Sequence, residues 1–500
     1  MKLLADKRVL VLGLGSSGLA LARWCARYGA QVTVADTRAE PPGLAALRAS
    51  GLVVRFVHAE MNAALLDGAP IAMVLRSPGL SPAAVSGVLT AAIARGLVVG
   101  NDLSLFAQSL VELNETQNYT PQVIGITGTN GKTTVTSLAG QLIQRAGKTV
   151  AVAGNIGPTL LDTLTEKLDT HSLPEVWALE LSSFQLDDIK NFEPTVATVL
   201  NITQDHLDWH ESLQAYAAAK NNVYGSSGVM LLNRNDPQVM AAVPVQGKGK
   251  PLRAYVTYGH DEPHRPGDYG IENVNGMAWL VRAAEADETI KRKRADKNDA
   301  VELHVQRLMP VDALRIHGLH NATNALAALA LAHATGCALG PMLHGLREYR
   351  GEPHRVESVA VINGVEYFDD SKGTNVGAAV AALSGLGAQR KLVVVLGGVG
   401  KDQDFSPLAA PVSRFAKAVI LIGRDAPLIR AALGNNSVAV LSADSMQEAV
   451  KMAARQAQTG DAVLMSPACA SFDMFDNYEH RARVFREAVQ ALALEEGVVL

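Results

Sequence analysis

Short runs of β-branched residues alternate with helical patterns along almost the whole chain, and this alternation limits the fold more than any other feature. RVLVLG at 8–13 predicts a strand, a helix is predicted from Ser16 to about Tyr28, and QVTVAD at 31–36 predicts the next strand. Strands that are connected through helices pair in parallel, because the chain must cross back before the next strand begins. The sequence therefore predicts an α/β fold with mainly parallel sheets.

The same alternation continues beyond residue 122 with one break in the pattern. The segment 253–316 is irregular and contains a charge-rich insertion at 285–299, for which we expect a solvated loop and not a binding arm. A helix is predicted from about Asn321 to Ala334. The remaining predicted elements are strands, at 123–127, near 176–181, 196–202 and 229–233, and at 391–396, 418–422 and 462–466.

Length and breaks in the pattern divide the chain into three predicted domains. Five hundred residues are enough for about three domains of roughly 150 residues each. The polar stretch at 114–122 indicates a linker, and a third α/β block begins near Gly351. We expect domains at 1–113, 114–350 and 351–500.

Composition limits the cellular compartment in which we expect the protein and the kinds of partner that it can bind. The formal net charge of −4 gives no reason to expect a nucleic-acid partner. The three cysteines are too few and too scattered for a disulfide framework, which favours a reduced compartment. The first residues run into a strand without an apolar signal core, and no stretch of about 20 apolar residues is found. We expect a cytoplasmic protein without membrane insertion.

The first glycine turn lies between a strand and a helix. Gly13-Leu14-Gly15-Ser16-Ser17-Gly18 permits a tight turn, and the following helix N-terminus favours a phosphate. Asp36 ends the next strand, where dinucleotide folds place a ribose-binding acid. Taken alone, the pattern allows NAD binding, but the trio Asp36, Thr37 and Arg38 could equally bind a pyrimidine ring.

The second turn is more specific. Residues 125–134, GITGTNGKTT, also lie between a strand and a helix. Backbone N–H groups of such a turn cradle phosphates, Lys132 can neutralise the terminal phosphate and Thr133 can hold magnesium. Ile126 stands where a strict Walker A motif has glycine, so only the tail of that motif matches. Two phosphate-binding turns on two domains predict two phosphorylated ligands.

The second turn, TGTNGKTT, resembles the ATP loop of the Mur ligases and the folylpolyglutamate synthases. The resemblance extends over nearly the whole chain outside 285–299. It includes GNIG (154–157), ELSSFQL (180–186), LNITQDHLDWH (200–210), HNATNALAALA (320–330), PHRVE (353–357), DDSKGTN (369–375), LGGVGKDQDF (396–405) and SPACASFDMFDNYEHRARVF (466–485). It implies a Rossmann-like N-terminal domain that binds UDP, a central P-loop-type ATPase domain and a Rossmann-like C-terminal domain that binds the incoming amino acid.

The motifs GLGSSG, DTR (36–38) and SPG (77–79) point to the D-glutamate-adding member of the family. The diaminopimelate-adding member carries a DNPR motif in its last domain, which is absent from this sequence. The resemblance implies a ligase that uses ATP and Mg²⁺ and forms an acyl phosphate during cytoplasmic peptidoglycan precursor synthesis. Its implied partners are UDP-N-acetylmuramoyl-L-alanine and D-glutamate, and we expect a monomer.

The resemblance also assigns catalytic and metal-binding roles. It makes Lys132, His206 and Lys220 catalytic, and Thr133, Glu180, His206 and Lys220 the magnesium ligands. Lys220 would act as a carbamate, which turns a cation into an anionic oxygen donor. From the sequence alone, Glu180 could be a surface acid at a strand end, His206 a structural histidine and Lys220 a solvent-facing lysine.

The implied binding residues form two groups. The ATP-binding group contains Gly128, Thr129, Asn130, Gly131, Lys132, Thr133, Thr134, Asn321, Asn324, Arg355 and Asp370. The substrate-binding group contains Ser16, Ser17, Asp36, Thr37, Arg38, Ser77 and Gly79 for UDP, Asn155, Ser182 and Gln185 for the muramoyl-alanine part, and Lys372, Thr374, Lys401, Ser471, Phe472 and Tyr478 for D-glutamate.

Three alternative functions stay open at this point. Another ligase of the same superfamily could act on folate or add a different amino acid, although the domain that precedes the ATP loop argues against folate. An NAD-dependent oxidoreductase would use the first glycine turn alone. A non-catalytic nucleotide-binding protein would not need the full set of polar site residues.

Overall fold

The computed structural model describes residues 3–68, 70–245, 252–286, 302–434 and 437–498. These residues form three β-sheets of five, nine and six strands, and helices connect most of the strands. Within the described part of the chain, no helix combines the length and the apolar composition needed to cross a bilayer.

The first block is a parallel sheet in the order β3-β2-β1-β4-β5. Its order reverses at the central strand β1, so the crevice at the carboxyl end of β1 is the place where such folds bind ligands. The strands are β1 (Arg8–Leu12), β2 (Gln31–Asp36), β3 (Val54–His58), β4 (Met73–Arg76) and β5 (Val98–Gly100), and the helices are α1 (Ser16–Arg27), α2 (Leu44–Ala49), α3 (Pro82–Ala94) and α4 (Asp102–Gln117).

The second block has the strand order β14-β13-β12-β11-β10-β9-β6-β8-β7. The pairs from β7 through to β12 are parallel, whereas β13 pairs antiparallel with both β12 and β14. The strands are β6 (Gln122–Thr127), β7 (Val150–Gly154), β8 (Val176–Glu180), β9 (Val196–Val199), β10 (Val229–Asn233), β11 (Tyr255–Tyr258), β12 (Tyr269–Val274), β13 (Met277–Glu285) and β14 (Leu303–Pro310). The helices are α5 (Lys132–Arg145), α6 (Leu160–Asp169), α7 (Ser183–Leu186), α8 (Leu207–His210), α9 (Leu213–Asn221), α10 (Pro237–Met240), α11 (Leu319–Ala334) and α12 (Leu339–Glu348).

The third block has the strand order β15-β16-β20-β17-β18-β19. Only the hairpin of β15 and β16 is antiparallel among its described pairs. The strands are β15 (Glu357–Ile362), β16 (Val365–Asp369), β17 (Leu392–Gly397), β18 (Ala416–Ile422), β19 (Ala439–Ser442) and β20 (Ala462–Met465), and the helices are α13 (Val376–Gly387), α14 (Ala409–Phe415), α15 (Ala426–Leu433), α16 (Met446–Gln456) and α17 (Tyr478–Glu495).

The α/β class and the main strands agree with the sequence-based expectations. The predicted irregularity of 253–316 is wrong, because this segment supplies the strands β11 to β14. The predicted linker is shorter than expected, since α4 extends to Gln117 and β6 begins at Gln122. Of the predicted insertion at 285–299, Glu285 ends β13, and residues 287–299 lie outside the described residues.

Strands buried on both faces set the position of the functional side chains. All five residues of β8 are buried, as are all six of β17. Parallel strands covered by helices on both faces must be apolar almost throughout, so polar side chains collect where the strands end. The carboxyl ends of β1, β6 and β8 therefore carry the candidate site residues of the first two blocks.

Candidate functional site

The first glycine turn leaves the carboxyl end of β1 and enters α1. Gly13 has a φ of +85°, and a Cβ atom at Gly18 would lie 1.9 Å from the carbonyl oxygen of Gly13. This close approach allows only glycine at residue 18. No side chain caps the start of α1, so its first backbone N–H groups are available to an anion.

Asp36 holds the same turn in place. Its carboxylate accepts hydrogen bonds from the backbone N–H of Leu14 at 2.8 Å and from the backbone and guanidinium of Arg38 at 2.8–2.9 Å. Burial opposes ionisation, but the hydrogen bonds from Arg38 and Leu14 outweigh it and lower the pKa of Asp36 to about 2. Both carboxylate oxygens are thus already engaged by the protein.

The second turn joins β6 to α5. Gly131 has a φ of +83°, and a Cβ atom there would lie 2.8 Å from Oδ1 of Asn324. The Asn201 side chain accepts from the backbone N–H of Asn130 at 2.9 Å and donates to its carbonyl oxygen at 3.0 Å. These contacts hold the loop rigidly against the end of β9.

Two lysines converge on this loop. Lys132 Nζ donates to the carbonyl oxygens of Gly128 and Thr129 at 2.8 and 2.9 Å. Lys220, only 1% exposed, donates from Nζ to the same Gly128 oxygen at 2.9 Å. Burial lowers the pKa of both amines, and the charge of Lys132 lowers the pKa of Lys220 further. Lys220 is therefore not the solvent-facing residue that its sequence position alone allowed.

Glu180 is the last residue of β8 and lies beside these lysines. It is 2% exposed, and its Oε1 accepts from Asn155 Nδ2 at 2.9 Å. Its Oε2 has no hydrogen-bond partner within the described part of the chain. A buried carboxylate oxygen without a partner is costly, and a hard cation such as Mg²⁺ is a suitable ligand for it.

His206 lies in a left-handed turn at the start of α8, with φ +53°. Its Nε2 is 3.7 Å from the Asp205 carboxylate, and its ring packs edge-on against Phe184 at 4.8 Å between centroids. Burial lowers the pKa of His206 although Asp205 opposes this effect. The ring is therefore neutral at pH 7 and has a lone pair for a metal ion.

The third block contacts the same loop. The guanidinium of Arg355 donates to Thr133 Oγ1 at 2.6 Å. The side-chain amides of Asn130 and Asn375 exchange hydrogen bonds at 3.0 and 3.2 Å. A metal ion on Thr133 Oγ1 requires Arg355 to move away, because two cations cannot share that oxygen at close range.

A cavity of about 190 Å³ lies between the second and third blocks, next to the loop. Its polar wall includes Asn321 and Asn324, which are linked to each other by a hydrogen bond of 3.2 Å. Apolar atoms of Ile316 and Ala382 line it as well. Its lining also includes Asn130, Gly131, Thr134, Arg355, Asp370 and Lys372. A cavity with amide groups and apolar walls beside a phosphate loop suits a nucleoside.

Two titratable groups of the third block have displaced pKa values at this cavity. Burial raises the pKa of Asp370 to about 7, although it accepts from Ser466 Oγ at 2.6 Å. Burial and the nearby Arg355 lower the pKa of Lys372 to about 8, and its Nζ lies 3.8 Å from the centre of the Tyr478 ring. Displaced pKa values in a cleft are typical of functional sites.

Family models cover most of the chain. The Mur ligase MurD-like N-terminal domain matches residues 7–100, the Mur ligase middle domain matches 126–332, and the glutamate ligase domain of Mur ligases matches 354–469.

The chain belongs to the Mur ligase family.

Curated relatives of this family match over their whole length. A UDP-N-acetylmuramoylalanine–D-glutamate ligase of Albidiferax ferrireducens is 62% identical, over 99% of this chain and 98% of the relative. An enzyme of the same name from Burkholderia pseudomallei is 57% identical, over 98% of each chain.

Solved structures of Mur ligases share the three-block architecture. The MurF ligase of Thermotoga maritima in complex with ADP has a TM-score of 0.58 at 16% identity and covers 99% of this chain and 100% of its own. MurC of the same organism has a TM-score of 0.54 at 18% identity and covers 97% of this chain and 99% of its own. The predicted Rossmann-like, P-loop-type and Rossmann-like arrangement is thus the fold of the family.

Among the residues implied for the muramoyl-alanine part, Ser182 and Gln185 are coupled to each other. They form a reciprocal capping pair at the start of α7. The Gln185 side chain is 3% exposed and donates to Asp102 Oδ2 at 2.9 Å. Asn155 instead donates from Nδ2 to Glu180 Oε1 at 2.9 Å, so it contacts a proposed magnesium ligand and not the other two residues.

The residues implied for D-glutamate lie in loops of the third block. Ser471 is buried, whereas Phe472 is 71% exposed. Lys401 lies in a left-handed turn after β17, and the backbone N–H of Thr374 bonds to Lys372. The implied UDP residues Ser16, Thr37 and Gly79 are exposed around the first turn, and Ser77 is buried beneath it. Because its side chain is exposed, Phe472 does not form the wall of a closed pocket in this structure.

Sequence reasoning missed several polar residues of the site. Asn201, Asp205 and Asn375 contact the loop or its neighbours, and Tyr216 OH donates to Thr129 Oγ1 at 3.3 Å. Asn201, Asp205 and Asn375 lie inside the quoted motifs, which was the available signal, whereas Tyr216 lies outside them. These residues contact the loop because separate helices and strands pack together, and the sequence does not show that packing.

A second cluster of possible metal ligands is a closed ion-pair network. One ligand atom each of His354, Glu357 and Asp369 lies within 4.8 Å of the others. The guanidinium of Arg486 donates to both carboxylates, and His354 Nδ1 lies 2.8 Å from Asp369. The Arg486 guanidinium already pairs with both acids, so the cluster ties β15 and β16 to α17.

Proposed function

We propose that this chain is the Mur ligase that adds D-glutamate to UDP-N-acetylmuramoyl-L-alanine with ATP. The observation that carries the proposal is the convergence of Lys132, Glu180, His206 and Lys220 on one phosphate loop, between two blocks that each offer a further ligand site. The names of the full-length relatives support the choice of D-glutamate.

The proposed reaction has two steps. A carboxylate oxygen of the alanine attacks the γ-phosphorus of ATP, an O–P bond forms, and ADP leaves with the electron pair of the broken bond. The amine of D-glutamate then attacks the acyl carbon, loses a proton and displaces inorganic phosphate. Both first-step reactants are anions, so the barrier is mainly electrostatic. Lys132 stands where it can neutralise the transferred phosphate.

We propose that Mg²⁺ is held by Glu180, Thr133, His206 and a modified Lys220. Support comes from Glu180 Oε2, which has no hydrogen-bond partner among the residues that the structure describes, and from the lowered pKa of His206. When bound, Mg²⁺ supplies charge neutralisation of the phosphates. Arg355 would leave Thr133 Oγ1 at the same time and reach for a nucleotide phosphate.

We also propose that Lys220 carries a carbamate. An amine attacks CO₂ only when it is neutral, and burial with Lys132 nearby lowers the pKa of Lys220 well below its ordinary value. The N–C bond forms as one C–O π bond of CO₂ breaks, the electron pair of that π bond goes to oxygen, and the nitrogen releases one proton, so the product is an anion. That charge change removes the repulsion between Lys220 and Lys132, and it provides an oxygen ligand for Mg²⁺.

The substrate sites follow from the same arrangement. We propose that the turn at 13–18 with Asp36 and Arg38 holds UDP, and that Asn321, Asn324 and Asp370 hold the nucleoside of ATP. D-Glutamate carries two carboxylates, which suits the cations Lys372 and Lys401 of the third block. The proposed domains remain 1–113, 114–350 and 351–500, and we expect a monomer in the cytoplasm.

The proposed function is tested by phosphate release from ATP. The wild-type chain with UDP-N-acetylmuramoyl-L-alanine should turn over steadily with D-glutamate and far more slowly with L-glutamate. Omission of either substrate should stop steady turnover. Equal rates with both isomers, or no turnover with either, would contradict the proposal.

The alternative of a dinucleotide enzyme is tested by binding. UDP should bind to the first block, and NAD should not compete with it. The Asp36→Ala variant should lose affinity for UDP while its affinity for ATP stays unchanged, because the hydrogen-bond partners of Asp36 are Leu14 and Arg38 of the first block. Tight NAD binding that the same variant abolishes would favour the oxidoreductase.

A further inference from the structure

A buried carboxylate of the first block contacts Gln185 of the second block, a residue that the family resemblance implies for the muramoyl-alanine part of the substrate. Asp102 is the first residue of α4, and its Oδ2 accepts a hydrogen bond from Gln185 Nε2 at 2.9 Å. The two residues are 1% and 3% exposed. The neighbouring Asn101 donates from Nδ2 to the carbonyl oxygen of Gln185 at 2.8 Å. Two adjacent residues of the first block therefore hold Gln185 at both its backbone and its side chain.

These contacts fix the orientation of the Gln185 amide. Its Oε1 accepts from the backbone N–H and the hydroxyl of Ser182 at 3.1 and 3.2 Å, while its Nε2 faces Asp102. A flipped amide would set oxygen against the carboxylate and N–H against N–H. The amide nitrogen has two hydrogens, and Asp102 takes one of them. The remaining N–H is the only polar hydrogen that Gln185 can offer to a ligand.

The Asp102 carboxylate is costly for the fold. Its Oδ1 has no hydrogen-bond partner among the residues that the structure describes. Burial raises the pKa of Asp102 to about 6 despite the hydrogen bond from Gln185. The N-cap of α4 is Asn101, so the helix does not need the Asp102 carboxylate as its cap. Costly buried polar groups tend to be kept where function needs them.

We propose that Asp102 is a positioning residue that keeps the free N–H of Gln185 directed at the acceptor substrate. Gln185 then recognises a hydrogen-bond acceptor, a carbonyl or carboxylate oxygen of the lactoyl-alanine part, and excludes groups that only donate. Because Asp102 belongs to the first block, this contact also links the block that holds UDP to the block that carries out phosphoryl transfer. The inference rests on the proposed function.

The test compares binding of UDP-N-acetylmuramoyl-L-alanine with binding of UDP by titration calorimetry. In the proposed site, UDP would contact the first glycine turn, whereas Gln185 would contact only the muramoyl-alanine part. The Asp102→Ala variant should bind UDP-N-acetylmuramoyl-L-alanine roughly tenfold more weakly and UDP equally well, whereas Asp102→Asn should retain most of the affinity, because its amide oxygen can still accept from Gln185. Equal loss of both affinities, or no loss of either, overturns the inference.

A double variant separates positioning from stability. In Asp102→Asn/Gln185→Glu the polarity of the pair is reversed, since the introduced amide donates to the introduced carboxylate and Ser182 still donates to the latter. The thermal stability should recover relative to Gln185→Glu alone. The affinity for UDP-N-acetylmuramoyl-L-alanine should not recover, because position 185 then has no hydrogen to donate. Recovery of the affinity together with the stability would overturn the inference.

A matched control breaks another contact between the same two blocks. Asn191 Nδ2 donates to the carbonyl oxygen of Ser104 at 3.0 Å and does not contact Gln185. Asn191→Ala should leave both affinities unchanged, and a loss equal to that of Asp102→Ala would overturn the inference. A wild-type chain that binds UDP but not UDP-N-acetylmuramoyl-L-alanine would overturn the proposed function as well. Wild-type binding with an unaffected Asp102→Ala variant overturns this inference alone.

Discussion

Replacement of Lys220 by alanine tests the most unusual group of the site. The Lys220 amine is 1% exposed, donates to the Gly128 carbonyl oxygen at 2.9 Å and lies 4.5 Å from the centre of the Tyr216 ring. Lys132 also donates to that carbonyl oxygen, so the alanine variant leaves no orphaned acceptor there. The substitution should therefore change the charge at the loop and leave its shape intact.

The expected magnitudes separate chemistry from folding. The lost methylene burial is about 0.8 kcal/mol for each group, and each lost hydrogen bond contributes about 1 kcal/mol. Three lost methylene groups and the lost hydrogen bond to Gly128 together should lower the free energy of unfolding by about 3 kcal/mol. Removal of a group that stabilises transition-state charge costs about 10²–10³-fold in turnover. A Lys220→Ala variant that is folded but shows this loss of turnover lacks a catalytic group and has kept its structure.

The assay is phosphate release from ATP with both substrates, with and without acetate. Acetate can occupy the vacated space and supply an anionic oxygen, so it should partly restore turnover of Lys220→Ala. Lys220→Arg should be equally inactive and should not respond, because its side chain fills the space with a permanent cation. Turnover of Lys220→Ala within a few-fold of wild type would refute the carbamate, and acetate rescue of both variants would refute the steric reasoning.

Three further variants test other parts of the site. Lys132→Ala should abolish phosphate release while calorimetry shows unchanged affinity for UDP-N-acetylmuramoyl-L-alanine, since the two turns lie on different blocks; wild-type turnover would remove Lys132 from the mechanism. Gly131→Ala should raise the KM for ATP about tenfold, because a left-handed φ costs about 1–2 kcal/mol for alanine and the new Cβ meets Asn324; an unchanged KM would contradict the rigid loop. The pKa of Asp370 is raised from 3.8 to about 7, so the folded state binds the extra proton between these values and its stability falls as the pH rises through this window. Asp370→Asn should lack that loss, and its Tm advantage over wild type should grow from pH 4 to pH 7.5; a constant difference would show that Asp370 does not titrate there.

Local sequence determined the position of the two turns and of most parallel strands. β2 and β10 were predicted with the bounds that the structure has, at 31–36 and 229–233. Buried parallel strands need uninterrupted apolar runs, and tight phosphate turns need glycine, so both leave a signal within a few neighbouring residues. The antiparallel strands β12 to β14 were missed, because half-exposed strands next to a charged insertion lack that uninterrupted apolar run.

The sequence by itself therefore determined the α/β class and the two phosphate turns. Through family resemblance it also supplied the candidate catalytic and binding residues. Only the tertiary structure decided which groups meet: Lys220 against Gly128, Arg355 against Thr133 and Asp102 against Gln185, at sequence separations of 92, 222 and 83 residues. Such contacts arise where the carboxyl ends of separate strands and the faces of separate blocks pack together. The pKa of a buried group depends on those distant neighbours, so no local pattern in the sequence encodes it.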